Sequence, residues 1–259
     1  TYITNVPVYN IIGTTSNSLN KPTDLDFHPD LNRNELWVIN RATESSGGST
    51  VTFNNAGKSN QTSSYKKDAN SWHFMSLPTG IAFSDNGNFG TSPGVFDANH
   101  NGGTPFTGPS RWTSNPAIYA QTSGGNGSHL DMVHVTPFGM GITHEKENVF
   151  WVFDGYNNDV ARYDFGIDHL PGNDDHSDAI VWRYQEVAVT RINDTIPSHL
   201  VLDKKSGWLY VVDNGNARIL RLNINSGSFG SAPTFISFEA LEQYVNMSGT
   251  TWQVYINTG

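Results

Sequence analysis

SHLDMVHVTPFGMGITHEKENVFWVFDGYNNDVARYDF, residues 128–165, is the stretch from which the fold of this chain can be read. A second copy of its plan, PSHLVLDKKSGWLYVVDNGNARILRLN, follows at residues 197–223. Each copy has a proline, a short apolar strand, a polar turn, a strand that ends in aspartate, an Asn/Gly loop and a strand that contains arginine. The copies align at Pro137 and Pro197. The chain is therefore built from a repeated unit of short strands.

Two fainter copies of the unit lie upstream, PTDLDF at residues 22–27 and PTGIAF at residues 78–83. The prolines that open the four copies lie roughly 55–60 residues apart, and repeats of about 40–50 residues with several strands each are typical of propeller blades. Loop insertions account for the longer spacing. Apolar runs as short as these suit inner strands that are buried on both faces. We therefore predict a single all-β propeller domain over residues 1–259.

The composition fits a folded β-rich protein and disfavours several kinds of partner. Hydrophobic residues make up 36% of the chain, charged residues make up 15%, and the formal net charge is -9. This acidic balance disfavours nucleic acid and anionic membranes and is compatible with bound cations. No apolar run approaches the roughly 18 residues of a membrane-spanning helix, so we predict no transmembrane segment. We expect a monomer, secreted or in an extracellular or periplasmic location. Because the chain begins at Thr1, we expect either that a signal peptide has been removed or that the sequence is an excised piece.

The absence of cysteine limits the kinds of covalent bond, metal site and nucleophile that the chain can form. A chain with no cysteine offers no disulfide, no thiolate metal site and no cysteine nucleophile. Any metal would therefore be held by imidazole and oxygen ligands.

Residues 154–162, DGYNNDVAR, resemble the repeat of the NHL-type propellers. Among these proteins the stretch looks most like the catalytic domain of peptidylglycine amidating lyase, a six-bladed zinc propeller. The resemblance implies an NHL-type fold of six blades, with the last blades divergent or truncated, and it implies catalytic roles for Tyr156 and Arg41. That family's zinc histidines directly follow the prolines that open inner strands, and the corresponding residues here are Thr23, Thr79, Phe138 and Ser198. The zinc ligands are therefore not implied by the resemblance.

Histidine is concentrated in one part of the chain, and imidazole is the commonest protein ligand of zinc and copper. Six of the nine histidines lie within residues 129–199: His129, His134, His144, His169, His176 and His199. Because inner strands begin at one face of a propeller, we predict a metal site there from His129, His134 and His199. The other three histidines fall in turns at the opposite end and form a second predicted group. The alternatives are histidines bonded to backbone and a solvated acidic loop.

These residues suggest a metal-dependent lyase or hydrolase acting on a small-molecule or peptide ligand. The divalent ion, zinc or copper, would act as a Lewis acid or generate hydroxide. Tyr156 or a histidine would move the proton, and Arg41 would hold an anionic group. Asp24 and Asp154 are predicted to bind the ligand at the same face, although Asp154 also suits a structural role at the end of its strand.

Two other hypotheses require no catalysis. A recognition propeller for protein or glycan would use aromatic side chains in loops, for which Trp72 and Trp112 are the candidates. A calcium-stabilised structural propeller would use residues 97–102, DANHNG, which follow the start of a calcium loop but lack its closing glutamate.

Overall fold

The inner strands of the chain lie side by side, and each begins a sheet of its own. A computed structural model describes residues 7–121 and 125–259. These residues form four sheets that follow one another along the chain as the blades of an all-β propeller. The predicted propeller fold is therefore confirmed.

The first blade contains β1 (Pro22–Phe27), β2 (Glu35–Thr43), β3 (Gly47–Asn54) and β4 (Thr62–Lys66). A short helix, α1 (Ser71–Phe74), leads to the second blade, which contains β5 (Pro78–Phe83), β6 (Asn88–Pro93), β7 (Ser110–Thr113) and β8 (His129–Met132). The third blade contains β9 (Gly139–Lys146), β10 (Val149–Asp154), β11 (Asp159–Asp164) and β12 (Ile180–Tyr184).

The fourth blade begins with β13 (Leu200–Asp203), β14 (Trp208–Asp213) and β15 (Arg218–Asn223). The chain ends with β16 (Ser228–Phe229), β17 (Gln243–Ser248) and β18 (Trp252–Asn257), and two 3-10 turns occur at Thr15–Asn17 and Asn214–Asn216.

The proline-led segments are the innermost strands of the blades, as the repeat predicts. Pro22 and Pro78 are the first residues of β1 and β5, and Pro137 and Pro197 shortly precede β9 and β13. Strand β1 contacts β5, β5 contacts β9, and β9 contacts β13.

Strand β10 illustrates why the apolar runs of the sequence lie inside the fold. Phe150 and Val152 pack toward the second blade, whereas Trp151 and Phe153 pack toward the fourth. All four side chains are fully buried, and burying a large apolar side chain stabilises the fold by about 1.5–3 kcal/mol. A strand buried on both faces has no polar alternation, which is the pattern seen in the sequence.

The described residues form four blades, so the prediction of six blades is not supported. The residues after Asn223 follow the fourth repeat, and their strands extend the sheets already present. Strand β17 pairs in parallel with β12 and carries β16 at its other edge, so both join the third blade. Strand β18 pairs with β15 and becomes the fourth strand of the last blade. These strands form no further blade, because each pairs with the outer edge of an existing sheet and none of them is accompanied by a new inner strand.

Two segments leave the blades and approach the edge of the second one. The first is the loop of residues 165–179, and the backbone N–H of Gly172 in this loop donates to the carbonyl of His129 at 2.9 Å. Gly172 has φ +77°, and a Cβ atom there would lie 2.8 Å from the carbonyl oxygen of Gly127, so this close approach requires glycine. The second is the arm of residues 224–242, whose Glu239 Oε2 accepts from the N–H of His134, just after β8, at 3.3 Å.

Within the part of the chain that the structure describes, no helix has the length and apolar character needed to cross a membrane.

Candidate metal centre

A cluster of imidazoles and carboxylates lies where the 165–179 loop and the 224–242 arm meet the second blade. We call it the histidine–carboxylate cluster, and its members are His73, His129, Asp131, His134, His169, His176 and Glu239. They come from helix α1, from β8 and the residues after it, from the loop and from the arm. Segments far apart in the chain therefore supply the side chains of one site.

The first group of potential ligands within the cluster is Asp131, His169 and His176. Asp131 is fully buried on β8, and its Oδ1 atom accepts a hydrogen bond from His176 Nδ1 at 2.9 Å. His169 Nε2 lies 3.8 Å from the same oxygen, and the His169 side chain is only 5% exposed. Among the described residues neither Asp131 Oδ2 nor His169 Nε2 has a hydrogen-bond partner. Buried polar atoms are normally paired, so these two atoms need a further partner.

The second group is His134, His176 and Glu239. His134 Nδ1 is in close contact with the Glu239 carboxylate, and the His134 backbone N–H donates to Glu239 Oε2 at 3.3 Å. Ser237 fixes the glutamate, because its hydroxyl accepts from the Glu239 N–H at 3.2 Å and donates to the Glu239 carbonyl at 2.9 Å. His176 belongs to both groups.

Hydrogen bonds to backbone carbonyls determine which ring nitrogen of several histidines carries the proton. The Nδ1 atoms of His73, His129 and His169 bond to the carbonyls of Ala98, Asn126 and Leu170 at 3.1, 2.9 and 2.9 Å. A carbonyl only accepts, so Nδ1 is the donor in each case, and Nε2 of the neutral ring is left with a lone pair. Metal-ligating histidines commonly have this arrangement, in which one nitrogen donates to a carbonyl and the other faces the ion.

Burial and neighbouring charges shift the pKa values of several side chains in the cluster. It lowers the pKa of His129 to about 3 and that of His73 to about 4, so both rings are neutral at physiological pH. Burial also acts to lower the pKa of His176, but the hydrogen bond from its ring to Asp131 and the charge of Glu239 outweigh this effect and raise it. Burial raises the pKa of Asp131 despite its contact with His176.

Aromatic stacking holds two of the rings in place. The His129 ring stacks on Phe74 with the ring centroids 3.5 Å apart, and the His134 ring stacks on Phe106 at 3.9 Å. Stacked and buried rings lose little further freedom when they bind an ion. The surroundings also exclude water, which strengthens electrostatic interactions within the cluster.

The structure combines the two predicted histidine groups. His129 and His134 come from the first group, and His169 and His176 come from the second. The prediction that the two groups lie at opposite ends of the propeller is wrong for these four residues. The physical reason is that the 165–179 loop folds back along β8, where Gly172 bonds to the backbone.

His144 and His199 lie outside the cluster. His144 is buried on β9, where Nε2 bonds to the Glu147 carbonyl at 3.1 Å and Nδ1 faces the Lys204 ammonium at 2.9 Å. The His199 side chain is 43% exposed, and its Nδ1 lies 3.8 Å from Asp24 Oδ2. The predicted meeting of His199 with His129 and His134 therefore does not occur.

Arg41 and Tyr156, the predicted catalytic residues, are connected through the segment that precedes the fourth blade. The buried Arg41 guanidinium donates to the carbonyls of Asp194 and Leu77, the latter at 3.3 Å. Tyr156 is 41% exposed and lines a cavity of about 520 Å³ together with Arg191 and Asp194. Neither predicted residue is part of the cluster, and their catalytic roles stay predictions.

Asp24 and Asp154 make contacts that support the fold. Asp24 Oδ2 accepts from the Ile81 N–H of the next inner strand at 2.9 Å, and burial raises the pKa of its carboxyl. Asp154 is fully buried, accepts two N–H groups of the following loop at 2.9 Å each, and pairs with Arg183. The structural alternative for Asp154 explains these contacts, and a ligand-binding role for either residue stays a prediction.

The structure also shows the burial and contacts of the residues on which the two non-catalytic hypotheses depend. Trp112 lies in β7 and not in a loop, is fully buried, and donates to Thr91 Oγ1 at 3.0 Å, so it offers no stacking surface. Trp72 is 38% exposed on α1. The Asp97 carboxylate accepts the N–H groups of Asn99 and Asn101 at 2.8 and 3.2 Å, so its oxygens are engaged by its own turn.

Three members of the cluster, His73, Asp131 and Glu239, were missed by the sequence analysis. Asp131 carried a signal, because it alternates with His129 on one strand and therefore shares its face. His73 and Glu239 stand alone in the sequence and reach the cluster through long-range packing.

Comparisons with known proteins give a general likeness and no family. No protein-family model matches this chain, and no curated protein matches it. An auxiliary nutrient binding protein from Bacteroides ovatus is 14% identical with a TM-score of 0.47, and covers 79% of this chain and 38% of its own. An auxiliary nutrient binding protein from Bacteroides thetaiotaomicron is 11% identical with a TM-score of 0.48, and covers 86% of this chain and 47% of its own.

A third similar structure is virginiamycin B lyase from Staphylococcus aureus, which is 12% identical with a TM-score of 0.36, and covers 85% of this chain and 70% of its own. This chain spans less than two thirds of the length of the two nutrient binding proteins. At these identities and TM-scores, the similar structures do not indicate a function for this chain.

Proposed function

We propose that this propeller binds a divalent transition-metal ion, zinc or copper, at the histidine–carboxylate cluster. The observation that carries the proposal is that Asp131 Oδ2 and His169 Nε2 have no hydrogen-bond partner in the part of the chain that the structure describes. His169 donates from Nδ1 to the Leu170 carbonyl, so its Nε2 keeps a lone pair. This nitrogen lies 3.8 Å from Asp131 Oδ1, and both side chains are buried. A lone pair beside a buried carboxylate is unfavourable unless a cation or a proton lies between them.

The donor set suits these ions. Imidazole nitrogen is a preferred ligand of zinc and copper, whereas calcium and magnesium prefer sites made of oxygen. The tautomer of His169 favours binding, because its Nδ1 donates to the Leu170 carbonyl and its Nε2 keeps a lone pair for an ion. The cluster contains more imidazole than carboxylate, which argues for zinc or copper over calcium.

The same donor set is compatible with a metal-dependent lyase or hydrolase. Two histidines and one carboxylate would hold the ion with three protein ligands, the number found in catalytic zinc sites. When bound, the ion would supply Lewis-acid chemistry or lower the pKa of a bound water. This chain's own residues would orient the ligand rings, with Asp131 holding His176 and with Phe74 and Phe106 fixing two other rings.

A second candidate function is the recognition of a small molecule or peptide at the cavity beside Tyr156. The Arg191 guanidinium lies 3.9 Å over the Phe138 ring and lines this cavity of about 520 Å³. The guanidinium pairs with Asp194 and donates to the Gly155 carbonyl at 3.0 Å, so a ligand carboxylate would take the place of Asp194 at Arg191. Loss of ligand binding in Tyr156→Phe and Arg191→Gln, with metal content unchanged, would support this function.

The metal proposal is tested by elemental analysis of the chain purified without a histidine tag and loaded with zinc or with copper. We expect stoichiometric metal in the unaltered protein and its loss in His176→Ala, because His176 belongs to both groups. His199→Ala is the matched control and should keep its metal, since His199 lies beside Asp24. Unaltered protein that takes up no metal, or a His176→Ala variant that keeps it while His199→Ala loses it, would contradict the proposal.

A further inference from the structure

The hydrogen bonds around His134 create an unusual contact with Glu239. His73 Nε2 and His134 Nε2 lie 3.3 Å apart, so one of these two nitrogens has to donate. His73 already donates from Nδ1 to the Ala98 carbonyl, and a neutral imidazole has only one N–H to donate. His134 is therefore the donor, through Nε2.

This assignment leaves Nδ1 of a neutral His134 without a proton. Nδ1 faces the Glu239 carboxylate, which as an ion can only accept. His134 and Glu239 are both largely shielded from water, with side chains 7% and 14% exposed. Two acceptors in contact at a shielded position need a positive charge between them, and the charge is either a proton or a metal ion.

The neighbouring residues favour the metal ion. His73 accepts the outer N–H of His134, and such an outer-shell partner is typical of a histidine that binds a metal through its other nitrogen. His176 supplies a second imidazole to the same place, since one of its ring nitrogens lies within 4.8 Å of the ligand atoms of both His134 and Glu239. The contact is thus a second three-ligand site with the same composition as the first, two histidines and one carboxylate.

We propose that the histidine–carboxylate cluster is a two-ion centre, with one divalent ion held by Asp131 and His169, the other held by His134 and Glu239, and the His176 ring shared between them. The proposal rests on the metal-binding function proposed above. The two nitrogens of an imidazole lie on different sides of the ring, so one ring can bind two ions once both nitrogens are unprotonated. The proton that His176 Nδ1 shares with Asp131 would then leave to solvent as the second ion binds.

The count of bound ions tests the shared-ring arrangement. The full chain is loaded with copper(II) or zinc, freed of excess ion by gel filtration, and analysed for metal per chain. We expect two ions in the unaltered protein, one in Glu239→Gln, one in His169→Gln and none in His176→Ala. His199→Ala, the control outside the cluster, should keep two. Circular dichroism of each variant checks that its strands are intact.

The outcomes separate this proposal from the metal-binding function. One ion in the unaltered protein and still one in Glu239→Gln would overturn the two-ion centre, because a proton then lies between His134 and Glu239. No ion in the unaltered protein would instead overturn the proposed function. A second measurement does not depend on the fold of any variant: two copper(II) ions joined through one imidazole ring couple magnetically, so the electron paramagnetic resonance intensity should fall well below the copper content. Full intensity at two copper ions per chain would overturn the shared ring.

Discussion

Histidines that are equivalent in the sequence differ in the structure by the partners of their ring nitrogens. Both ring nitrogens of His144 have partners, the Glu147 carbonyl and the Lys204 ammonium. His169 has a carbonyl at Nδ1 and no hydrogen-bond partner at Nε2 among the described residues. The difference between a structural histidine and a candidate ligand therefore lies in one hydrogen bond, which a residue count cannot detect.

Glu145 gives a prediction about pH at the same scale. Its carboxylate accepts from Arg162 Nε and Nη2 at 2.8 and 2.9 Å and from Trp151 Nε1 at 2.7 Å. Burial acts to raise the pKa of Glu145, but Arg162 outweighs burial and holds it below the ordinary value. A lowered pKa means that the carboxylate stabilises the fold above its unfolded pKa of about 4.3, and that this contribution is lost as the pH falls through the lower, folded pKa.

We expect Glu145→Gln to reduce the free energy of unfolding at pH 7 by about 1.5–3 kcal/mol, the range for a hydrogen bond to a charged group. The difference from the unaltered protein should shrink as the pH falls below about 4. Urea unfolding at pH 7 and at acid pH measures both effects. Glu147→Gln, at an exposed turn on the same hairpin, is the control. A Glu145 effect that stays constant with pH would show that its charge is not the source of the stability.

At the scale of elements, the 165–179 loop brings the cluster together, because it carries His169 and His176 to the edge strand β8. Its backbone bond from Gly172 to His129 lies beside the site. Two segments of the chain lie so close together there that a side chain at residue 172 would collide with the Gly127 carbonyl. The geometry of the metal centre therefore depends on a position that holds no ligand.

We expect Gly172→Ala to lower metal affinity about 10-fold or more, as loss of an outer-shell contact does, and to lower the melting temperature. Gly102→Ala is the matched control, since Gly102 also has a positive φ, +70°, but has open space around it. Both variants carry backbone strain of about 1 kcal/mol, and only the first displaces the loop. Titration calorimetry and thermal unfolding compare them. Equal metal affinity in the two variants would contradict the role of the loop.

At the scale of the whole molecule, the cluster connects parts of the chain that the blades alone would leave independent. Its members come from the segment after the first blade, from the edge of the second, from the third, and from the arm that follows β15. Ions bound by the two ligand groups would join the second blade, the 165–179 loop and the 224–242 arm. Because the unfolded chain holds no preformed site, the binding free energy would add to the stability of the fold.

Saturation with zinc or copper is therefore expected to stabilise the protein. At an ion concentration of 100 times the dissociation constant the gain is about 2.7 kcal/mol, which corresponds to a rise of about 5–10 °C in melting temperature for a domain of this size. Differential scanning calorimetry with and without a chelator measures the rise, and His176→Ala should show none. A rise with calcium and none with zinc or copper would favour the calcium-stabilised propeller.

The sequence by itself determined the repeated unit, the proline-led inner strands and four of the cluster's residues. These features depend on local spacing and residue type: apolar runs bounded by turns predict strands, and clustered histidines predict metal ligands. Asp131 was within reach of the same reasoning, because alternation along β8 places it on the face of His129.

The tertiary structure alone decided the number of blades in the described residues, the grouping of the histidines, and the arrival of His73 and Glu239. Strands β16 to β18 join edges of sheets that are distant in sequence, and the 165–179 loop turns back along a neighbouring blade. Pairing of this kind depends on which edges and surfaces are free once the blades have assembled. No local pattern of residues contains that information, so the meeting of His134 with Glu239, 105 residues away, follows only from the folded chain.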